Sequence, residues 1–324
     1  MEKEIILDLG SCFTRIYTKE NGLVLNQPSL VACNKLGQNY HVKAFGLEAK
    51  KLAEIGADDI TVFSPFAESK IKNDDYALLL IKHFLSIVGI KKGLFTKLSA
   101  VVLISCGTKQ HEKEEFSKLL YAAGFDKVKF VFSLVAVSSS IDKNASNVNL
   151  IVDIGGSKTD IGVVCGDMIV GGATVNIGGK GMNKSVLDFV TNKYDIALPM
   201  VLAEKVKEEL ASLYDNDVSS MKIRAFDNVS ESEIVSIVYA HDVKNAILPY
   251  FEEISKLIET TLNMCSDEIL NQIKNNGIFI CGGVAKITGL EKYLKDKFSL
   301  PINIVENCDD CAIIGAGNLL KSGF

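Results

Sequence analysis

The chain has 324 residues, is 48% hydrophobic and 23% charged, and carries a formal net charge of −5. It is too long for one average domain and suits two, and its acidic balance offers no global attraction for nucleic acid. No apolar run approaches the roughly 18–20 residues that cross a bilayer. Met1-Glu2-Lys3-Glu4 does not open a signal peptide, so the eight cysteines read as reduced thiols of a cytoplasmic protein.

Ile5 to Tyr17 (IILDLGSCFTRIY) reads as a strand ending at Asp8, a corner at Gly10 and a second strand. Gly22 to Ala32 is a further strand, which its proline places at an edge or turn. A short helix opens at Gly46 and ends near Gly56. Asp74 to Val88 carries Leu78, Leu79, Ile81, Phe84, Leu85 and Val88 at helical spacing. Ser99 to Ser105 is a buried strand, Glu112 to Ala123 a helix, and Lys127 to Val135 a strand.

Asn149 to Val164 (NLIVDIGGSKTDIGVV) then repeats the opening device: apolar strand, Asp153, a glycine corner at Gly155-Gly156, and a second apolar strand. Gly178-Gly179 breaks into a helix from Met182 to Tyr194, Met200 to Leu213 is a second helix, and Glu231 to Tyr239 a third. Asn245 to Lys274 is a long helical stretch containing Pro249, with a break near Cys265 to Asp267. A third glycine corner lies in Ile278 to Leu290 (IFICGGVAKITGL). Leu290 to Phe298 is a helix, Ile302 to Val305 a strand, and Ala312 to Leu320 the closing helix. The alternation predicts mixed sheets with helices on both faces. Cys308-Asp309-Asp310-Cys311 has metal-ligand spacing, but no second pair or nearby histidine completes a set.

A carboxylate at a strand end, beside glycines that admit backbone N–H groups, suits a phosphate with its metal ion. An ordinary hairpin with a capping aspartate uses the same residues. Repetition of the device at Asp8 and Asp153 favours the phosphate reading and predicts a duplicated, two-lobed body. Two such carboxylates would organise a hydrated Mg²⁺.

These hairpins, with the corner at Cys281-Gly282-Gly283, resemble the actin and heat-shock-chaperone ATPase superfamily, and the chain is most similar to the MreB-like bacterial actins. The likeness runs through VLNQPSLVA (Val24 to Ala32), FGLEAKKL (Phe45 to Leu52), VNIGGKGMNKSV (Val175 to Val186), AEKVKEEL (Ala203 to Leu210) and CGGVAKITGLEKYL (Cys281 to Leu294). It implies an α/β, two-lobed actin-like ATPase fold, each lobe a mixed sheet flanked by helices, with the nucleotide cleft between lobes. Domain I would hold residues 1–144 and 310–324, with an insert at about 31–71; domain II would hold 145–309, with an insert at about 179–244.

The resemblance also implies an ATP site. Ser11, Cys12 and Phe13 match the first phosphate loop, and Gly155, Gly156, Ser157 and Lys158 the second. Glu204 and Lys207 match the helix that touches ribose and base, and Gly282, Gly283, Val284, Ala285 and Lys286 the adenosine loop. Asp8 and Asp153 would serve the metal. Glu204 and Lys207, three apart, share one helix face. Lys158 departs from the family's Gly/Thr-rich loop, and either adds charge beside the phosphates or points to solvent. Where MreB-like proteins carry Glu-Glu-Pro, with the water-activating group, this chain has Phe132, Ser133 and Leu134. Slow hydrolysis is therefore expected unless Thr159 or Asp160 substitutes.

Lys91-Lys92-Gly93-Leu94-Phe95-Thr96-Lys97 puts Leu94 and Phe95 at a loop tip among lysines, a pattern suited either to shallow insertion into an anionic membrane surface at the inner face or to packing of both side chains against the core. The expected function is a nucleotide-dependent, cell-shape-related filament protein whose main partner is itself. The alternatives are an FtsA-like, membrane-associated adaptor without turnover, and a small-molecule kinase of the same superfamily.

Overall fold

The computed structural model describes residues 2–36, 39–56, 59–67, 70–93, 96–141, 147–227 and 232–322. They form two compact units, one of residues 1–144, 166–169 and 310–324, the other of 145–165 and 170–309.

The first unit begins with β1 (Glu2–Leu9), β2 (Phe13–Thr18) and β3 (Gly22–Pro28). Next come β4 (Val31–Leu36), β5 (Asn39–Phe45), α1 (Gly46–Ile55), β6 (Ile60–Phe63), β7 (Phe66–Ala67) and β8 (Lys70–Ile71). It continues with α2 (Asp74–Ile87), β9 (Lys97–Ile104), α3 (Gln110–Ala123), β10 (Lys127–Phe132) and α4 (Ser133–Ser140). Its main sheet runs β10-β9-β1-β2-β3, with β1 antiparallel to β2 and parallel to β9. Strands β4 to β6 make a separate sheet ordered β5-β4-β6.

The second unit supplies β11 (Val148–Ile154), β12 (Thr159–Cys165), β13 (Met168–Val175), α5 (Gly179–Tyr194), β14 (Ile196–Ala197) and α6 (Met200–Leu210). It adds β15 (Ser220–Asp227), β16 (Ser232–Tyr239), α7 (Ala240–Asn263), α8 (Asp267–Asn276), β17 (Ile278–Cys281), a 3-10 turn (Gly283–Lys286), α9 (Leu290–Phe298) and β18 (Ile302–Ile304). The chain then closes in the first unit with α10 (Cys311–Ser322). The second main sheet, β13-β12-β11-β17-β18, has the wiring of the first: an antiparallel hairpin flanked by parallel strands.

Strand alternation decides where the first carboxylate points. Ile5, Leu7 and Leu9 of β1 enter the core that holds Leu80 and Phe84 of α2 and Phe116 and Leu120 of α3. Ile6 enters the opposite core with Ala136 of α4 and Ile313, Ala316 and Leu320 of α10. Asp8 has the parity of Ile6 and so lies on the α10 side of the sheet.

Several expected elements differ, α6 ending at Leu210 rather than Leu213 and α7 beginning at Ala240 rather than Asn245. The strand expected to reach Val135 stops at Phe132, and Ser133 opens α4. Gly22 to Ala32 is divided, β3 ending at Pro28 and β4 beginning at Val31. Glu231 to Tyr239 is no helix: from Ser232 it is β16, paired antiparallel with β15. The doublets Ile234-Val235 and Ile237-Val238 imitate helical spacing, but these β-branched residues suit a sheet whose inner face buries Val238 and whose outer face exposes Val235 and Ile237. The break predicted near Cys265 is present, and Ser266 caps α8 by accepting from the Ile269 N–H. Among the described residues, no helix is long and apolar enough to cross a membrane.

Candidate functional site

The two hairpins are built alike. In the first, the Gly10 N–H donates to the Phe13 carbonyl at 3.0 Å; in the second, the Gly155 N–H donates to the Lys158 carbonyl at 2.9 Å. Asp8 pairs in register with Arg15, and Asp153 with Asp160. Each hairpin thus carries a strand-end aspartate whose cross-strand neighbour lies on the same face.

In the second unit the predicted residues converge on the N-terminus of α5. The Gly179 N–H donates to the Gly155 carbonyl at 3.0 Å, and the Lys180 N–H to the Gly156 carbonyl at 2.7 Å, which ties the helix to the hairpin corner. A Cβ placed on Gly179 would stand 3.4 Å from Val284 Cγ2 and 3.6 Å from Lys207 Nζ. One small volume therefore borders the Gly155-Gly156 corner, the Lys207 ammonium and the turn after Gly282-Gly283. On α6, Glu204 and Lys207 are half-buried while Lys205, Glu208 and Glu209 are exposed, so one polar face turns inward. A helix N-terminus with an ammonium beside it attracts anions.

Other predicted residues already have partners. Lys286 pairs with Asp309 at 2.8 Å. Lys158 Nζ lies 4.0 Å from Asp160 Oδ2, and Asp160, 1% exposed, also accepts from the Thr174 hydroxyl. Thr159 is fully buried and donates to the Ile177 carbonyl at 2.7 Å. Neither Thr159 nor Asp160 is thus presented openly to a substrate. The half-buried Ser157 belongs to the hairpin corner.

In the first unit, Ser11 and Cys12 are half-buried and Phe13 is exposed. Ser29 braces the loop, its N–H donating to the Cys12 carbonyl at 2.8 Å and its hydroxyl to the Gly10 carbonyl at 2.7 Å. Arg15 donates from Nη1 to Asp8 Oδ2 at 3.1 Å and from Nε to Asp310 Oδ1 at 2.6 Å. Burial opposes the guanidinium charge, but Asp8 and Asp310 outweigh it and raise the Arg15 pKa above its ordinary value. Leu94 and Phe95 lie outside the described residues.

Sequence reasoning missed Gly178, Gly179 and Lys180 as site residues and missed Arg15 with Asp310. The double glycine before a helix was the available signal for the first group. The second needs the register of β1 on β2 and the return of α10.

Residues 2–323 match the family model described as MreB/Mbl protein. The chain belongs to the MreB/Mbl family. It is 28% identical to the cell shape-determining protein Mbl of Bacillus subtilis, over 99% of this chain and 96% of that protein. It is 24% identical to the cell shape-determining protein MreB of Escherichia coli K12, over 98% and 93%. The crystal structure of MreB 5 of Spiroplasma citri bound to AMPPNP matches with a TM-score of 0.91 at 27% identity, covering 99% of this chain and 97% of that one. A MamK double helical filament matches with a TM-score of 0.84 at 20% identity, which speaks to fold alone. The fold of this MreB/Mbl protein is accordingly the actin-like α/β fold, with two mixed sheets flanked by helices.

Proposed function

We propose that this chain is a nucleotide-dependent, actin-like cytoskeletal protein that assembles with copies of itself and serves cell shape, as the names of its relatives suggest. The observation that carries the nucleotide reading is the meeting of Lys207, Val284 and the Gly155-Gly156 corner around Gly179. The positive end of the α5 dipole and one ammonium there suit a phosphate chain, and Glu204 on the same helix face as Lys207 suits the ribose. The Spiroplasma relative was solved with AMPPNP and with ADP, which supports an adenine nucleotide.

Among the described residues, no group of three histidine, cysteine, aspartate or glutamate side chains could hold a metal alone. Asp8 and Asp153 are hard oxygen donors of the kind that hold Mg²⁺ through its waters, so the ion fits as a companion of the nucleotide phosphates. When bound, it would neutralise phosphate charge. The chain's own residues do the rest: Lys207 and the α5 N-terminus orient the anion, and Phe132 and Ser133 supply no base at the end of β10. Hydrolysis is slow in this reading, and binding rather than turnover drives assembly by population shift.

Sedimentation with ATP and Mg²⁺, with ADP, and without nucleotide tests the whole. Pelleting that depends on nucleotide is expected, and a chain that stays in the supernatant under every condition would favour a kinase of the same fold. Calorimetry of Lys207→Ala tests the site: loss of one charge-assisted contact should weaken binding by roughly 1.5–3 kcal/mol, and unchanged affinity would remove Lys207 from it.

A further inference from the structure

The second hairpin sets Asp160 opposite Asp153, but the first sets a cation, Arg15, opposite Asp8. We propose that Arg15 is a positioning residue for Asp8, a built-in counter-cation that fixes this carboxylate and makes nucleotide binding less dependent on Mg²⁺. The proposal rests on the nucleotide reading above and adds a residue that the family likeness did not supply.

Asp8, Arg15 and Asn26 form a row across β1, β2 and β3. Above the row, Asp310 immediately precedes α10 and accepts from Arg15 Nε at 2.6 Å and from Asn26 Nδ2 at 3.0 Å. The ring of Phe13, in the predicted first phosphate loop, lies 5.4 Å from the guanidinium carbon. Arg15 is therefore held by a carboxylate from another element and by a ring from its own strand, and its side chain is only 11% exposed. Its remaining reach goes to Asp8 Oδ2 at 3.1 Å.

A planar, permanently charged guanidinium gripped on one side presents a fixed direction to the other, so the Asp8 rotamer is set before any ligand arrives. The same charge lowers the negative potential that phosphates meet at Asp8. A carboxylate without such a partner repels phosphate oxygens unless a divalent ion intervenes. In the second hairpin the residue at the matching register position, opposite Asp153, is itself a carboxylate, Asp160. The device belongs to the first hairpin.

The test is a Mg²⁺ titration of nucleotide binding, followed with a fluorescent ATP analogue, on the unmodified chain and on Arg15→Leu, Arg15→Lys and Asp310→Asn. Thermal midpoints are recorded for each. Without Mg²⁺, Arg15→Leu should lose about tenfold or more in affinity, the worth of one charge-assisted contact. Saturating Mg²⁺ should recover most of the loss, so its enhancement of binding grows by a similar factor. Arg15→Lys, which keeps the charge but not the fork, should fall between. Asp310→Asn, which loosens the anchor and spares the Arg15–Asp8 pair, should shift in the same direction by less. An equal Mg²⁺ enhancement in all four proteins, with only the midpoints changed, would show a structural role and overturn the assignment. Failure of the unmodified chain to bind nucleotide with or without Mg²⁺ would overturn the site reading itself, a distinct result.

Discussion

Gly282 lies against the Asp153 carboxylate: a Cβ on it would stand 2.5 Å from Asp153 Oδ1 and overlap the Ile154 carbonyl oxygen. Its φ is +84°, a region costly for any residue with a side chain. The position thus couples the third glycine corner to the carboxylate one residue before the end of β11, a strand that also pairs in parallel with β17 at Asp153 and Cys281. Gly282→Ala must move rigid backbone or turn the carboxylate. The expected cost is about 1–3 kcal/mol of stability, with a loss of nucleotide affinity beyond that of Gly283→Ala, where a Cβ meets nothing within 4 Å. Equal affinities in the two variants would show that Asp153 is not held by this contact.

Ser133 offers a gain-of-function test. It is the first residue of α4, half-buried, directly after β10. An acidic side chain in the first turn interacts favourably with the helix N-terminus, so Ser133→Glu should fold with little change in thermal midpoint. If this position faces the attacked phosphate, turnover should rise, by as much as roughly 10²–10⁴-fold for a well-placed base. A phosphate-release assay decides it, and an unmodified chain already as fast as the variant would mean that another group activates water.

Much of this was legible in the sequence, and the parts that were not share a cause. The Asp8 and Asp153 hairpins were legible because an apolar run, an aspartate and a glycine within a few residues settle a strand and its turn locally. α9 was readable over Leu290–Phe298 for the same reason. β16 was misread because its outer face exposes Val235 and Ile237, so the polar alternation that marks a half-buried strand is absent. Arg15 is an unremarkable strand residue until α10 brings Asp310 to it from the far end of the chain. The sequence leaves Lys158 open between phosphates and solvent, and in the structure it lies near Asp160, an arrangement that depends on the cross-strand register.

We propose that any membrane contact is made through Leu94 and Phe95 with the surrounding lysines, and one of those lysines is already paired. Lys92 Nζ lies 2.5 Å from Asp126 Oδ1, so its charge is already compensated. Burying two large apolar side chains contributes roughly 1.5–3 kcal/mol each, and each remaining lysine about 1 kcal/mol at an anionic surface. A single copy should bind weakly and an assembled polymer strongly, through avidity. Flotation with anionic liposomes should need polymerising conditions and be lost in Leu94→Ser/Phe95→Ser. Undiminished flotation of that variant would place any membrane contact elsewhere.

The joint between α5 and α7 should give the second unit a pH dependence. Asp242, fully buried in the first turn of α7, accepts from Lys193 and, at 2.5 Å, from the Tyr194 hydroxyl, both at the end of α5. His241 Nε2 lies 3.2 Å away and adds to the pairing when protonated. Burial opposes ionisation of Asp242, but the Lys193 and Tyr194 hydrogen bonds outweigh it and hold its pKa below the usual value. Burial and then the Asp242 contact push the Tyr194 pKa well up. A lowered carboxyl pKa contributes stability that is present above the unfolded value of about 3.9 and lost as pH falls through the folded one. A raised phenol pKa contributes stability that is present below about 10 and lost as pH rises further. Asp242→Asn should therefore cost about 1–3 kcal/mol near neutrality, the usual penalty for breaking a buried hydrogen-bonded group, and flatten both limbs of the stability curve. Because the Gly179 and Lys180 N–H groups tie the start of α5 to the Gly155-Gly156 corner, the variant should also loosen that corner. Chemical denaturation of both proteins from pH 3 to 10.5 measures the difference directly, and parallel curves across that range would mean that Asp242 only fills space.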